Sequence, residues 1–107
     1  MNKILIEQSH NCKTFDADVG DTIAIVLKEN PTTGYRWKVD QDDEEIILLT
    51  GSEYSKIAKN GIGGGGTRTF IFEARSPGKR KIHLSLKREW EKKLNPIDQF
   101  QVFIHIR

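Results

Sequence analysis

The residues of this chain that could carry out nucleophilic or metal chemistry are few and poorly placed for it. His10 and Cys12 stand two positions apart, and no neighbouring side chain is suited to orient them as a nucleophilic pair. They also supply too few of the roughly four ligands that a zinc site needs. Cys12 is the single cysteine, so the fold does not depend on an internal disulfide. We therefore expect no enzyme and no metal.

Two polar segments resemble ligand-binding motifs but do not meet their requirements. The acidic residues 42–45 lack the alternating aspartates, the glycine and the terminal glutamate of a calcium loop. Gly61, Gly63 and Gly66 spell G-x-G-x-x-G, which cradles a dinucleotide only where it opens a helix. Residues 67–72, which follow, favour a strand instead. We therefore predict no nucleotide and no other cofactor.

The composition indicates what kind of element must position any site. The chain has 107 residues, a formal net charge of +2, 36% apolar and 30% charged residues, which is typical of one soluble globular domain. Ile, Val and Thr together number 24 against 4 Ala, and branched side chains favour strands. No apolar run reaches the length of a membrane span, and so small a charge does not by itself indicate nucleic acid. The first seven residues lack the features of a secretory signal, so a cytoplasmic location is expected.

Apolar residues alternate with polar ones in short runs separated by turn residues, which predicts seven or eight strands. A Pro-Gly pair at residues 77–78 predicts a type II turn before one of them. A series of this kind favours an all-β sandwich, with a small closed barrel as the alternative. The expected strands are residues 3–7, 15–18 with a turn at 19–21, 22–27, 35–39, 46–50 with an extension or a further strand at 52–57, 67–74, 81–87, and a last strand carrying Phe100, Val102, Ile104 and Ile106.

Three loops lie between these strands. We name them the first loop (residues 30–34, Asn-Pro-Thr-Thr-Gly), the glycine loop (residues 60–66) and the third loop (residues 87–91, Lys-Arg-Glu-Trp-Glu). In a sandwich such loops can gather at one end, as the binding loops of immunoglobulin variable domains do. Singly, the first loop is an ordinary turn sequence and the glycine loop a flexible hairpin. Trp90, flanked by charged residues, is typical of an interface anchor.

Taken together, the three loops resemble the chagasin family of protein inhibitors of papain-like cysteine peptidases. The family pattern is an Asn-Pro-Thr-Thr-Gly-aromatic loop, a Gly-x-Gly-Gly loop and an Arg-Pro-aromatic loop. The first motif is complete here, the second fits either residues 61–64 or 63–66, and the third departs at Glu89, where the family usually has proline. The candidate peptidase-binding residues are Asn30, Pro31, Thr32, Thr33, Gly34, Tyr35, Gly61, Ile62, Gly63, Gly64, Gly65, Arg88, Glu89 and Trp90.

The resemblance implies an immunoglobulin-like sandwich over residues 1–107, a single inhibitor domain that acts as a monomer. Its three loops would fill the active-site cleft of papain- and cathepsin-type peptidases, tightly and reversibly. The family's first loop lies over the catalytic cysteine and histidine, which puts Thr32 at the chemistry. The glycine loop follows the non-primed subsites as a substrate strand would, and the aromatic ring of the third loop covers the primed side.

Two other classes of protein stay open from the residues alone. One is a non-inhibitory sandwich for adhesion or ligand binding. The other is an OB-like nucleic-acid binder that uses Arg88, Trp90, Lys92 and Lys93. A titration against papain distinguishes the three, because only the inhibitor abolishes peptidase activity stoichiometrically and only the nucleic-acid binder shows salt-sensitive binding to an oligonucleotide.

Overall fold

The computed structural model describes residues 2–30, 33–40, 45–56, 65–88 and 97–107, in which it places eight strands and one short 3-10 helix. The strands pair into two four-stranded sheets, ordered β1-β3-β6-β5 and β2-β8-β7-β4. The predicted all-β sandwich is confirmed, and the barrel alternative is wrong because these strands form two separate sheets. The elements are β1 (Lys3–Glu7), the 3-10 helix (Gln8–His10), β2 (Thr14–Ala17), β3 (Thr22–Glu29), β4 (Tyr35–Val39), β5 (Ile47–Lys56), β6 (Gly66–Ala74), β7 (Gly78–Arg88) and β8 (Asp98–Ile106).

The core lies between the two sheets and is built from the inward phase of each strand. Successive side chains of a strand point to opposite faces, so every second residue meets the other sheet. The inward residues predicted on β3, β6 and β8 are all buried, and full burial of each large one stabilises the fold by about 1.5–3 kcal/mol. They are Ile23, Ile25, Leu27, Phe70, Phe72, Ala74, Phe100, Val102, Ile104 and Ile106.

The structure corrects two details of the predicted strands and decides between two alternatives for a third. β7 begins at Gly78 rather than Lys81, because residues 78–80 pair with the end of β8. Gly78 has a φ of 152°, so it starts the strand and does not adopt the φ of about 80° that a type II turn requires. Residues 47–56 form one continuous strand, whose register against β6 shifts between Leu49 and Gly51.

Strand pairing brings the ends that flank the three loops together. In the first sheet Glu29, at the end of β3, is opposite Gly66 at the start of β6, and Gly66 is also opposite Lys56 at the end of β5. In the second sheet Tyr35, at the start of β4, is opposite Arg88 at the end of β7. We call this edge of the sandwich the loop end. No helix in the described ranges is long and apolar enough to cross a bilayer.

Candidate functional site

A buried carboxylate anchors both sides of the first loop. The side chain of Glu29 is 0% exposed, and its Oε2 accepts a hydrogen bond from the backbone N–H of Trp37 at 2.9 Å. The indole Nε1 of Trp37 donates to the carbonyl oxygen of Lys28 at 2.8 Å. These two bonds hold β4 against β3, so the chain enters and leaves the first loop at fixed points.

The same carboxylate is paired with a cation from β6. Arg68 donates to Oε1 of Glu29 from Nε at 3.2 Å and from Nη2 at 2.9 Å. Its guanidinium also lies 5.5 Å from the ring centroid of Tyr54 and donates to Oγ of Ser52 at 3.4 Å. An ion pair with two donors on one carboxylate fixes the orientation of both side chains. Arg68 therefore connects the base of the first loop to β5.

The described part of the first loop is a hydrogen-bonded turn. Thr33 donates to the carbonyl oxygen of Asn30 from its backbone nitrogen at 3.2 Å and from its hydroxyl at 2.8 Å, and that hydroxyl accepts the N–H of Tyr35 at 3.4 Å. Gly34 has a φ of 81°, which a residue with a Cβ adopts only with strain. Pro31 and Thr32 lie outside the described residues. The two ends of the loop are thus preformed.

The base of the glycine loop requires a glycine at its last position. Gly66 is buried, and a Cβ there would overlap the carbonyl oxygen of Ser55 and the hydroxyl of Tyr54. Gly65 is exposed, and a Cβ on it would have no heavy atom within 4 Å. Gly66 is therefore needed by the scaffold, whereas Gly65 is open to a partner. Residues 61–64, which include the candidate residues Gly61, Ile62, Gly63 and Gly64, lie outside the described residues, so the register of this motif stays a prediction.

The third loop begins against the first loop. The guanidinium of Arg88 lies 4.5 Å from the ring centroid of Tyr35, and its Nε donates to the carbonyl oxygen of Thr33 at 3.3 Å. A cation over an aromatic face is attracted by the ring quadrupole. Arg88 therefore also positions the first loop, in addition to the peptidase contact expected from the sequence. Glu89 and Trp90 lie outside the described residues.

Six of the candidate residues are described, and the structure brings all six to the loop end. They are Asn30, Thr33, Gly34, Tyr35, Gly65 and Arg88. Glu29 and Arg68, which support them, belong to none of the loop motifs and were not predicted from the sequence. Glu29 continues the inward phase of Ile23, Ile25 and Leu27, and Arg68 precedes Phe70 and Phe72 in the same phase. Two opposite charges on inward positions are the signal that could have identified this pair.

The opposite end of the sandwich carries a second buried carboxylate. Asp21 is 4% exposed and precedes β3 at the end far from the loops. Hydrogen bonds from the backbone N–H groups of Asn2 and Asp18, both at 2.9 Å, lower the pKa of Asp21. These bonds fix the turn before β3 and tie the start of β1 to it. In the described ranges no three His, Cys, Asp or Glu side chains group as metal ligands.

The fold and the loop end together define a β-sandwich that presents recognition loops at one edge. A family model described as "Chagasin family peptidase inhibitor I42" matches residues 16–104. Chagasin of Trypanosoma cruzi is 25% identical over 103 residues, which cover 92% of this chain and 94% of chagasin. The chain belongs to the chagasin family of peptidase inhibitors.

Two solved structures share this fold. The cysteine protease inhibitor EhICP2 of Entamoeba histolytica superposes with a TM-score of 0.91 at 24% identity, covering 100% of this chain and 97% of that one. PbICP-C, solved in complex with falcipain-2, superposes with a TM-score of 0.64 at 20% identity, covering 100% of this chain and 91% of that one. At these identities the superpositions establish the sandwich architecture.

Proposed function

We propose that this chain is a tight-binding, reversible inhibitor of papain-like cysteine peptidases, and that its three loops occupy the active-site cleft. One observation carries the proposal: in a chain of the chagasin family, Arg88 contacts Thr33 and Tyr35 of the complete Asn-Pro-Thr-Thr-Gly-Tyr motif at one edge of the sandwich. PbICP-C, which shares the fold, was solved with a cysteine peptidase bound, and EhICP2 is a cysteine protease inhibitor.

The mechanism that the residues support is occupation of the cleft. The turn made by Asn30, Thr33 and Tyr35 fixes the two ends of the first loop, and Thr32 lies between those ends in the sequence. Set over the catalytic cysteine, such a tip blocks substrate without placing a scissile carbonyl at the nucleophile. The protein itself needs no catalytic group for this role.

Preformed loop ends account for tight binding. Association costs the ordering of every loop and side chain that is mobile before contact. Here Glu29, Trp37 and Arg68 fix the ends of the first loop before any enzyme arrives. An interface of standard size, about 1,600 Å² in total, then suffices for strong inhibition.

The test is a titration of papain and of one cathepsin-type peptidase with the purified protein, with trypsin as the control enzyme. We expect hydrolysis of a small fluorogenic substrate to fall linearly to zero at one equivalent for both cysteine peptidases, and trypsin to keep its activity. Thr32→Arg should weaken the inhibition, whereas Thr14→Arg, an exposed position on β2, should not. Full papain activity at a tenfold excess of the protein would refute the proposal.

A further inference from the structure

Two like charges face each other next to the loop end. Arg36 on β4 is directly opposite Lys87 on β7, and both point away from the core because the next pair along these strands, Trp37 and Leu86, packs in the core. Side chains in such register have Cβ atoms about 4.5–5.5 Å apart, and like charges at that distance destabilise a sheet. Lys38, two residues along β4, is exposed on the same face. We name Arg36, Lys38 and Lys87 the basic corner.

The basic corner is not neutralised by the rest of the described chain. None of its three side chains forms a salt bridge within the described ranges. Asp40, which directly follows β4, accepts a hydrogen bond from the hydroxyl of Ser85 and lies 3.1 Å from Nδ1 of His83, and its single negative charge offsets at most one of the three positive charges of the corner. In the sequence that follows β7, residues 89–93 contain two acidic and two basic residues and therefore add no net charge.

The position of the corner makes it an extension of the loop end. Arg36 follows Tyr35 of the first motif, and Lys87 precedes Arg88 of the third. A partner that receives the two loops must therefore bring its own surface close to these cations. A like-charge pair that weakens the sheet at this one place is expected where it serves recognition.

We propose that the basic corner is an electrostatic docking surface, and that its partner is an acidic rim beside the active-site cleft of the target peptidase. This inference rests on the proposed inhibition. Complementary charges flanking an interface mainly raise the association rate, and they do so by about 10- to 1000-fold when salt is low. The inhibitor should thus favour papain-like peptidases with acidic rims over those with basic rims.

The chain offers a matched control for this surface. Lys79 and Lys81 are exposed on the same face of β7, but six to eight residues from Lys87, which is roughly 20–26 Å along a strand. That separation exceeds two Debye lengths at physiological salt, where the length is about 8 Å. Arg36→Glu with Lys87→Glu and Lys79→Glu with Lys81→Glu change the net charge equally, from +2 by four units.

The experiment measures association and dissociation rates of the parent and the two double variants. The enzymes are two papain-like peptidases, one with an acidic rim and one with a basic rim, each at a low salt of about 0.1 M and a high salt of about 1 M, where the Debye lengths are about 10 and 3 Å. For the acidic enzyme we expect the corner variant to associate about tenfold more slowly at low salt, with a difference of less than about twofold at high salt. The control variant should stay within about twofold of the parent throughout. With the basic enzyme the corner variant should associate faster than the parent.

Thermal unfolding gives an independent reading. Arg36→Glu alone replaces a like-charge pair with an opposite-charge pair, so its Tm should not fall while its association slows. Equal effects of the two double variants, or unchanged association by the corner variant, would overturn the inference and leave the inhibitor proposal intact. A parent protein that inhibits neither enzyme would overturn both.

Discussion

Removing the cation beside Glu29 tests how far the loop end depends on one buried ion pair. Arg68→Met keeps the apolar stem of the side chain as far as about the position of Nε but removes the guanidinium. Of the three hydrogen bonds that the Glu29 carboxylate accepts from described residues, it removes the two at 3.2 and 2.9 Å and leaves the one from the Trp37 N–H at 2.9 Å. Each bond to a charged group is worth about 1.5–3 kcal/mol. Because Arg68 is itself 21% exposed, water compensates part of the stabilisation that the two lost hydrogen bonds provide. We therefore expect the free energy of unfolding to fall by about 3 kcal/mol.

The loss should appear as a drop in Tm of about 15 °C for a domain of this size. Urea unfolding followed by tryptophan fluorescence gives the free energy directly, since Trp37 lies beside the pair. Arg68→Lys should lie between the parent and Arg68→Met, because lysine restores the charge without the two-donor geometry. Glu29→Gln with Arg68→Met should recover at least about 1 kcal/mol, because no buried charge is then left unpaired. A loss below about 1 kcal/mol for Arg68→Met, or a double variant no more stable than the single one, would refute the reasoning.

Four further predictions separate recognition from stability. Thr32→Asp should raise the inhibition constant for papain at least tenfold with an unchanged Tm, because an exposed loop tip contributes little to the core; equal inhibition would place the first loop elsewhere. Gly64→Val should weaken inhibition more than Gly65→Ala, whose added Cβ meets no atom within 4 Å, and the reverse order would move the motif to residues 63–66. Trp90→Ala should speed dissociation from papain roughly 30- to 1000-fold, the equivalent of about 2–4 kcal/mol for an aromatic anchor; an unchanged rate would mean that the ring folds onto the sandwich. Asp21→Asn should lower Tm at neutral pH without changing inhibition. Because the pKa of Asp21 is lowered in the folded state, its carboxylate stabilises the fold above about pH 4, and this stabilisation is lost as pH falls through the folded-state pKa. The difference in Tm between the parent and Asp21→Asn should therefore shrink in acid.

Local periodicity was enough to predict most strands, and it failed where pairing between distant segments decides the bounds. β4 has the predicted bounds, since Tyr35–Val39 alternates cleanly between two turn sequences. β7 begins three residues before the predicted start at Lys81 because Gly78 pairs with Ile106, which lies 28 residues further along the chain. The register shift near Gly51 likewise depends on β6 and has no local signature.

The site residues show the same contrast between local sequence patterns and contacts of distant segments. The loop motifs are local and could be read from the residues, whereas the side chains that support them come from separate strands. The contact between Glu29 and Arg68 spans 39 positions and exists only because β3 pairs with β6. His83 lies on the outward phase of β7, which on its own predicts a solvated side chain, but it is only 23% exposed, between Asp40 and Gln99. An outward position in one strand can be covered by the polar side chains of its neighbours.

Rigid support and exposed recognition are carried by different residues at the loop end. Gly66 and Glu29 belong to the scaffold, since each is buried and bonded or packed within the sandwich. Gly65 and Thr33, in contrast, are exposed at the loop end. Substitutions in the first group should therefore change stability before they change inhibition, and substitutions in the second should do the reverse.

The measurement that tests inhibition by occupation most directly is recovery of both partners from an isolated complex. Papain and the protein are mixed at equal concentrations, the complex is purified and dissociated, and the mass of the protein and the activity of papain are then determined. We predict an inactive complex of one molecule each, which releases the protein at its full mass and papain with its activity restored. A cleaved protein, a covalent adduct, or papain that stays fully active in the mixture would contradict the account.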